Sequence, residues 1–450
     1  MNLKKFIGID FTVSVVLLTK LWQVCSGLIT LILIAYYLSP ELQGYYYTFC
    51  SLIALQVFVE MGLTFVIIQI ASHEMAKLHW LHDGTVSGNE LSKSRLNSLV
   101  KFSFIWFGFA GLIMLALLVP TGIFFYNIAA PDIVINLWKP WVLLVLFASI
   151  NLFMTAAIAL LEGCGKVREI AILRLTQSFI SAVTIWVVLS LNGNLYALAA
   201  GSLASLIANL VLIYFIYGNF FIDTIRQKKV GHGIDWRSEI WPFQWRIAVS
   251  WISGYFAFQL FVPLLLATHG PVVAGQMGMS LQIIIAMNAA AISWITTKAP
   301  TFGKLIALNK INKLNELFFA SLRHSLYFLV FGCVFFSFLL LYMNYYEVKY
   351  LERILPYDLM LFLFVIAISN HITGAQAAYL RAYKKEPFMI LSLACGLSIA
   401  FFSVLLIPQL SVVGAVAAYS IGAIIIGVFG GTLIFLRKKK EYMVMQSLLL

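Results

Sequence analysis

The residues best suited to chemistry in this sequence are charged side chains that interrupt long apolar runs. Lys20, Glu60 and Arg174 each lie inside such a run. A charge near the centre of a lipid bilayer costs at least about 2.5–3.5 kcal/mol, so it marks a substrate or ion pathway by default. At about 1.5 Å per helical residue, Lys20 and Glu60 both lie roughly 14 Å deep. They form either a neutralising ion pair between adjacent helices or a site for a substrate or a proton.

Three further basic residues lie closer to the ends of their runs. Arg174 is about 8 Å deep, so its side chain can either snorkel to the interface or point into a lumen. Arg246 and Lys298 stand near run ends, where basic residues serve as interface anchors or as ligands. Together with Lys20, these residues would make a cavity attractive to an anion. We therefore predict a negatively charged cargo.

A layer of polar residues crosses the middle of three other runs. Its members are Asn151, Asn288 and His371. Asparagines inside membranes commonly hydrogen-bond between helices, and a lone histidine is either a packed polar group or a proton relay. The layer is therefore either helix packing or the lining of a hydrated cavity. We predict the cavity, with Glu60 and His371 as residues for ion coupling or for structural pairing.

Membrane helices are the elements that must position these residues. Of the 450 residues, 62% are apolar and 11% are charged, against roughly 45–50% and about 25% in soluble proteins. The chain is therefore a polytopic, all-α membrane protein without a sizeable soluble domain. Its net charge of +12 reflects topology-setting lysines and arginines rather than a nucleic-acid partner. The apolar runs predict twelve spans, over residues 11–38, 45–71, 98–125, 140–161, 169–191, 195–217, 246–268, 275–297, 319–343, 357–380, 388–407 and 412–436.

The distribution of basic residues predicts orientation and domain division. With both termini in the cytoplasm, 25 of the 30 lysines and arginines lie on the inner side and three on the outer side. A long polar stretch separates two halves of similar loop plan, and Pro40-x-x-x-Gly44 in the first matches Pro271-x-x-x-Gly275 in the second. Because each half has an even number of spans, the halves are parallel repeats around a central path. The predicted domains are an N-terminal lobe at 1–217, a cytoplasmic linker at 218–245, a C-terminal lobe at 246–436 and a basic cytoplasmic tail at 437–450.

Several other kinds of chemistry lack the residues they require. The segment Glu162–Arg168 has neither the spacing nor the hydroxyl of a GxxxxGK[ST] phosphate loop. His79 and His82 have no cysteine nearby, and the five cysteines contain no CxxC pair, so neither a metal site nor a disulfide framework is expected. The outer loops are short for a catalytic site. We predict no cofactor and no catalytic residue.

Three short motifs resemble a known family. Leu38-Ser-Pro-Glu-Leu-Gln-Gly44-Tyr-Tyr-Tyr and Val59-Glu60-Met-Gly62-Leu63-Thr64 are similar to the first two helices of polysaccharide repeat-unit flippases. These Wzx-type proteins are a branch of the multidrug/oligosaccharidyl-lipid/polysaccharide (MOP) exporter superfamily. Leu161-Glu162-Gly163-Cys-Gly165-Lys166, which leads into Arg174, shows the same resemblance.

The resemblance implies two six-helix lobes, as in multidrug (MATE) exporters, and alternating access at the bacterial inner membrane. Its implied cargo is an undecaprenyl-diphosphate-linked oligosaccharide, such as an O-antigen unit, and its implied partners are the lipid bilayer, a polysaccharide polymerase and a chain-length regulator. The family's cationic lumen matches Lys20 and Arg174 by residue type and depth. Two alternatives stay open: a MATE-like drug or cation exporter, and a membrane enzyme of polysaccharide assembly.

Overall fold

A computed structural model describes residues 11–129, 134–226, 233–383 and 386–447. Ten helices in this part of the chain are long and apolar enough to cross a membrane, and one bent pair of helices qualifies as a further span. The helical stretch Met389–Tyr442 contains 54 residues, or about 80 Å of helix, which is enough for two crossings of a core about 30 Å thick. Ser411 breaks this stretch with a non-helical backbone (φ 53, ψ −132). The predicted all-α fold with about twelve spans is confirmed.

The first half of the chain contains seven helices and one small hairpin. The helices are α1 Phe11–Tyr37, α2 Pro40–Ile53, α3 Leu63–Met75, α4 Glu90–Ala129, α5 Val134–Gly163, α6 Val167–Ser190 and α7 Tyr196–Arg226. A 3₁₀ turn, Ala54–Gln56, and a helical turn, Val57–Glu60, lie between α2 and α3. Between α3 and α4, strands β1 Leu78–Trp80 and β2 Val86–Gly88 pair antiparallel.

The second half contains eight helices. They are α8 Trp241–Phe258, α9 Phe261–His269, α10 Pro271–Thr296, α11 Ala299–Ala307, α12 Ile311–Tyr345, α13 Tyr357–Arg381, α14 Met389–Ser420 and α15 Gly431–Ser447. A π-helical turn, Trp236–Ile240, precedes α8, and a π-helical segment, Ile421–Gly430, joins α14 to α15. A 3₁₀ turn, Lys349–Arg353, precedes α13.

The chain forms two compact units. One contains Met1–Leu38 and Leu52–Ile252, and the other contains Ser39–Ser51 and Ser253–Leu450. The start of α2 thus packs with the second unit, which the sequence pattern did not indicate. Residues 227–232, in the middle of the predicted linker, lie outside the described part of the chain, so the limits of that linker stay a prediction.

Each unit packs its helices in the same order. In the first unit, α1 contacts α6, α3 contacts α4 and α5, α4 contacts α5, and α7 contacts α5 and α6. In the second unit, α9 contacts α14, α10 contacts α12 and α13, α12 contacts α13, and the π-helical segment contacts α13 and α14. Each of these pairs has its counterpart six spans away, which is the packing that two repeats of one helical plan require.

Two predicted spans differ from the helices that form. The third was predicted to begin at 98, but α4 begins at Glu90 because Ser92, Ser94 and Asn97 are buried against the rest of the first unit. The second was predicted as continuous, but it bends by 46° between α2 and α3. Met61 (φ 51) and Gly62 (φ 66) take left-handed conformations there, which end one helix before the next begins.

Candidate functional site

Lys20 lies on a polar strip of α1. Its side chain is exposed, and Nζ lies 3.4 Å from Oε1 of Gln23, one turn away. The exposed apolar side chains Leu21, Leu28 and Ile32 follow a stripe roughly a quarter turn or more around the helix, at about 100° per residue. Lys20 and Gln23 are therefore separated from the apolar face that suits lipid. Within the described part of the chain, the ammonium group has no carboxylate partner.

Glu60 lies at the break between α2 and α3. Its half-buried carboxylate accepts a hydrogen bond from the hydroxyl of Thr64 in the first turn of α3. The structure describes both Glu60 and Lys20 and forms no ion pair between them; each side chain bonds to a neighbour in sequence. The hypothesis of a neutralising pair therefore does not hold in this conformation.

Arg174 is held by an acidic partner that the sequence reasoning missed. Its Nη2 donates to Oε2 of Glu162 over 2.6 Å, joining α6 to the end of α5. Both residues belong to the motif region quoted above, but the loop between the two helices is what brings them together. Arg174 is exposed, and the contact offsets part of its charge.

Arg246 and Lys298 lie at the ends of helices in different units. The exposed guanidinium of Arg246 lies 5.7 Å from the ring centroid of Trp245, within the range of a cation–π interaction. Lys298 is partly exposed and occupies the position just before α11. The geometry of Arg246 suits an interface anchor, and the substrate-binding role of both residues stays a prediction.

Two of the three predicted polar-layer residues meet in the second unit. His371 is fully buried, its Nδ1 lies 3.0 Å from Oδ1 of Asn288, and its Nε2 lies 2.8 Å from Oγ of Ser325. This network ties α13 to α10 and α12. Sequence reasoning missed Ser325 because serine is too common in apolar helices to stand out.

The third predicted residue, Asn151, belongs to a separate network in the first unit. Its Nδ2 donates to the carbonyl oxygen of Ser202 over 2.8 Å, and its Oδ1 accepts from Asn209 over 3.3 Å. Gln177 donates to Ser205 over 2.6 Å, which extends the network from α5 and α7 to α6. Ser205 and Asn209 lie one helical turn apart on α7, so their spacing in the sequence could have indicated a polar face on this helix. In both networks the polar groups bond helix to helix, as the packing alternative requires.

A charged cluster that the sequence did not reveal joins three segments of the first unit. Arg95 donates from Nε to Oε1 of Glu74 over 2.8 Å and from Nη2 to Glu239. These contacts connect α4 to α3 and to the π-helical turn before α8. The hydrogen bond from Arg95 is the main cause that lowers the pKa of Glu239 below its usual range. Long sequence separations hid this cluster from pattern analysis.

Replacing Arg95 by alanine is expected to destabilise the first unit. The side chain of Glu74 is only 8% exposed, so the variant buries a carboxylate without its partner, at a cost of up to about 3 kcal/mol. Arg95→Lys should recover part of the lost stability, because lysine keeps the positive charge. Recovery should be incomplete, because an ammonium group lacks the planar fork with which arginine reaches both carboxylates. Thermal unfolding of the purified full-length chain measures this, with the exposed Lys77→Ala as control.

The stability that the Arg95 cluster provides depends on pH. A carboxylate whose pKa is lowered on folding adds stability above its unfolded pKa, about 4.3 for Glu, and loses it as the pH falls through the folded value. The destabilisation by Arg95→Ala should therefore be full at pH 7 and shrink below about pH 4. An equal difference in melting temperature at both pH values would contradict this role of Glu239.

Comparison with known proteins identifies the fold. No family model matches the sequence, and no curated protein sequence matches it. An inward-facing multidrug resistance MATE transporter of the MOP superfamily superposes with a TM-score of 0.64 at 15% identity, covering 94% of this chain and 96% of that one. The lipid II flippase MurJ, in an inward closed conformation, gives 0.63 at 18% identity, with coverage of 96% and 91%. A MOP superfamily transporter from Pyrococcus furiosus gives 0.57 at 15% identity, with coverage of 95% of each chain. The chain therefore has the two-lobe helical fold that these MOP-superfamily transporters share.

Proposed function

We propose that this protein is a flippase that moves an undecaprenyl-diphosphate-linked oligosaccharide repeat unit, such as an O-antigen unit, across the bacterial inner membrane. The observation that carries the proposal is Lys20: an exposed cation on α1, set apart from the apolar face of the helix and bonded, among the described residues, to the neutral amide of Gln23. A positive charge within a membrane span is costly, and binding a diphosphate compensates it.

Three other basic residues extend this cationic path in the proposal. Arg174 and Arg246 belong to the first unit and Lys298 to the second. Glu60 and His371 are the groups proposed to couple transport to an ion, and Asn151 and Asn288 keep the helices around the path in register through their hydrogen bonds. The proposal assigns the protein no catalytic residue and no cofactor. A polysaccharide polymerase and a chain-length regulator are its proposed functional neighbours.

The proposed orientation supplies part of the driving force. With both termini in the cytoplasm, a cargo with about two negative charges moves outward down an inside-negative potential. That movement gains roughly 4.6 kcal/mol per 100 mV. A cation exporter would gain nothing from this potential and would face repulsion from Lys20, which favours the anionic lipid over the drug-export alternative.

Reconstitution tests the function directly. The full-length protein in proteoliposomes should move a fluorescent undecaprenyl-diphosphate-linked monosaccharide from the outer to the inner leaflet and back, as measured by its quenching with a membrane-impermeant reagent. Undecaprenol without the diphosphate should not compete for this movement, whereas unlabelled undecaprenyl diphosphate should. Transport of a quaternary ammonium drug without movement of the glycolipid would show that the protein is a cation exporter instead.

A further inference from the structure

The middle of α2 is buried on all sides. Every residue from Gln43 to Phe49 is buried, including three consecutive tyrosines. This segment lies within Ser39–Ser51, which packs with the second unit, whereas the rest of the second span packs with the first. One membrane span is therefore divided between the two compact units.

Small residues hold the segment against α10. A Cβ on Gly44 would overlap the carbonyl oxygen of Pro271, and a Cβ on Gly275 would lie 2.9 Å from the backbone nitrogen of Gly44. One turn further along, a Cβ on Gly278 would lie 2.5 Å from Cβ of Tyr47. Glycine at these positions lets two helix backbones approach closely, which is how van der Waals packing joins helices in membranes.

Polar bonds at the same place add to the packing. Nε2 of Gln43, which is 1% exposed, donates to the carbonyl oxygens of Gly275 over 3.0 Å and Arg353 over 2.9 Å. Gln276 donates to the carbonyl oxygen of Glu352 over 3.0 Å. The segment is thus tied both to α10 and to the 3₁₀ turn before α13.

The chain between this segment and α3 is irregular. It passes through a 3₁₀ turn, one helical turn, and the left-handed pair Met61 and Gly62. A left-handed conformation costs a residue with a side chain roughly 1–2 kcal/mol, and Met61 adopts it beside a glycine that adopts it freely. Broken helices of this kind concentrate at switch regions, where the surrounding fold maintains the strain.

We propose that residues 40–51 form a clasp that closes on α10, and that residues 54–62 are the hinge on which the clasp turns away from α3. The clasp stays with the second unit when closed and is released when the transporter changes conformation. This inference rests on the alternating access contained in the proposed function. The new element of the proposal is the segment that moves, residues 40–51, and the contacts that hold this segment against α10.

Chemical labelling tests the clasp without any substrate. In a full-length chain whose five cysteines are replaced by alanine, Thr48→Cys places a thiol inside the clasp. Ser103→Cys is the matched control, because both hydroxyls are fully buried and bond the backbone oxygen four residues back over 2.8 Å. Opening of the clasp as a minor state should let a membrane-permeant maleimide label Thr48→Cys at least about tenfold faster than Ser103→Cys in membrane vesicles.

A variant that adds a methyl group between the two helices provides a second test. Gly275→Ala crowds the backbone of Gly44 and should raise the labelling of Thr48→Cys a further fivefold, roughly the effect of 1 kcal/mol. Gly27→Ala, which has open space around its Cβ, should change nothing. Should Gly275→Ala fail to accumulate, Gln43→Ala opens the clasp by removing the side-chain hydrogen bonds of Gln43 to Gly275 and Arg353 and adds no atoms.

Equal protection of Thr48→Cys and Ser103→Cys in every variant would overturn the clasp. Labelling requires no cargo, so its result is independent of the measured movement of the glycolipid. If Thr48→Cys stays protected from maleimide while the glycolipid moves normally, the clasp is rejected and the proposed flippase function stands. Rapid labelling without movement would support the clasp and reject the proposed cargo.

Discussion

Lys20→Ala is expected to abolish export of surface polysaccharide while the protein accumulates normally in the membrane. The variant removes a cation of α1 that has no carboxylate partner among the described residues. A charge interaction over about 4 Å at an effective dielectric constant near 20 is worth about 4 kcal/mol, so loss of export by at least about tenfold is expected. Lys20→Arg keeps the charge and should keep partial export. Surface glycan and membrane protein level are measured together in each strain.

A double variant serves as the control for pairing. Lys20 and Glu60 bond to different partners, so Lys20→Met combined with Glu60→Leu should stay as inactive as the single Lys20 variant. Each single variant should also fold, since neither removes an existing ion-pair partner. Full export by Lys20→Ala would remove Lys20 from the mechanism, and robust export by the double variant would show that the two residues are a structural pair after all.

Gly44→Ala is expected to reduce the amount of folded protein severely. Its Cβ would overlap the carbonyl oxygen of Pro271 and would also crowd two other backbone atoms of that residue. Backbone atoms cannot rotate away as a flexible side chain can, so the helices must separate, and overpacking of this kind costs about 1–3 kcal/mol or more. The measurement is the yield of monodisperse protein after detergent extraction.

The helical position Gly27 supplies the comparison for that result. Among the described residues, no atom beyond the neighbouring backbone of its own helix lies within 4 Å of where a Cβ on Gly27 would be. Gly27→Ala should therefore match the parent yield or exceed it slightly, because alanine favours a helix over glycine. Unchanged yield and melting temperature in Gly44→Ala would show that α2 and α10 are not held together by close backbone contact.

The sequence was sufficient to predict the helical plan because apolar length is a strong and local signal. In the described part of the chain, the twelve predicted runs correspond to ten helices and one bent pair that can span a membrane, one of these helices being long enough for two crossings. The equal packing order of the two units follows from a repeat whose loops already matched. The short interruption from Pro408 to Ser411 separated two predicted spans. The structure has a break in the helix at the same place, at Ser411. Periodicity could not place the start of α4, since the buried residues in its added turns include the polar Ser92, Ser94 and Asn97.

The sequence could propose residue types for the candidate site, but it could not predict which side chains bond to each other. Depth along a helix identified Lys20, Glu60, Asn288 and His371, because distance from a run's end is a property of one helix. Which side chains meet depends on helix rotation and on loops. That is why the sequence placed Asn288 and His371 in one layer without predicting their bond, and why it missed Glu162 as the partner of Arg174. It is also why the sequence left open whether Lys20 and Glu60 pair, whereas in the structure each bonds to a different neighbour.

The contact at Gly44 places the same steric constraint on both copies of its motif. The two copies of the Pro-x-x-x-Gly motif touch each other reciprocally: Gly44 faces Pro271, and Gly275 faces Gly44 and Pro40. Reciprocal contact of a patch with its own copy is the geometry of an isologous interface. A side chain added at either glycine would press on the backbone of the other motif, so both positions are expected to accept only glycine.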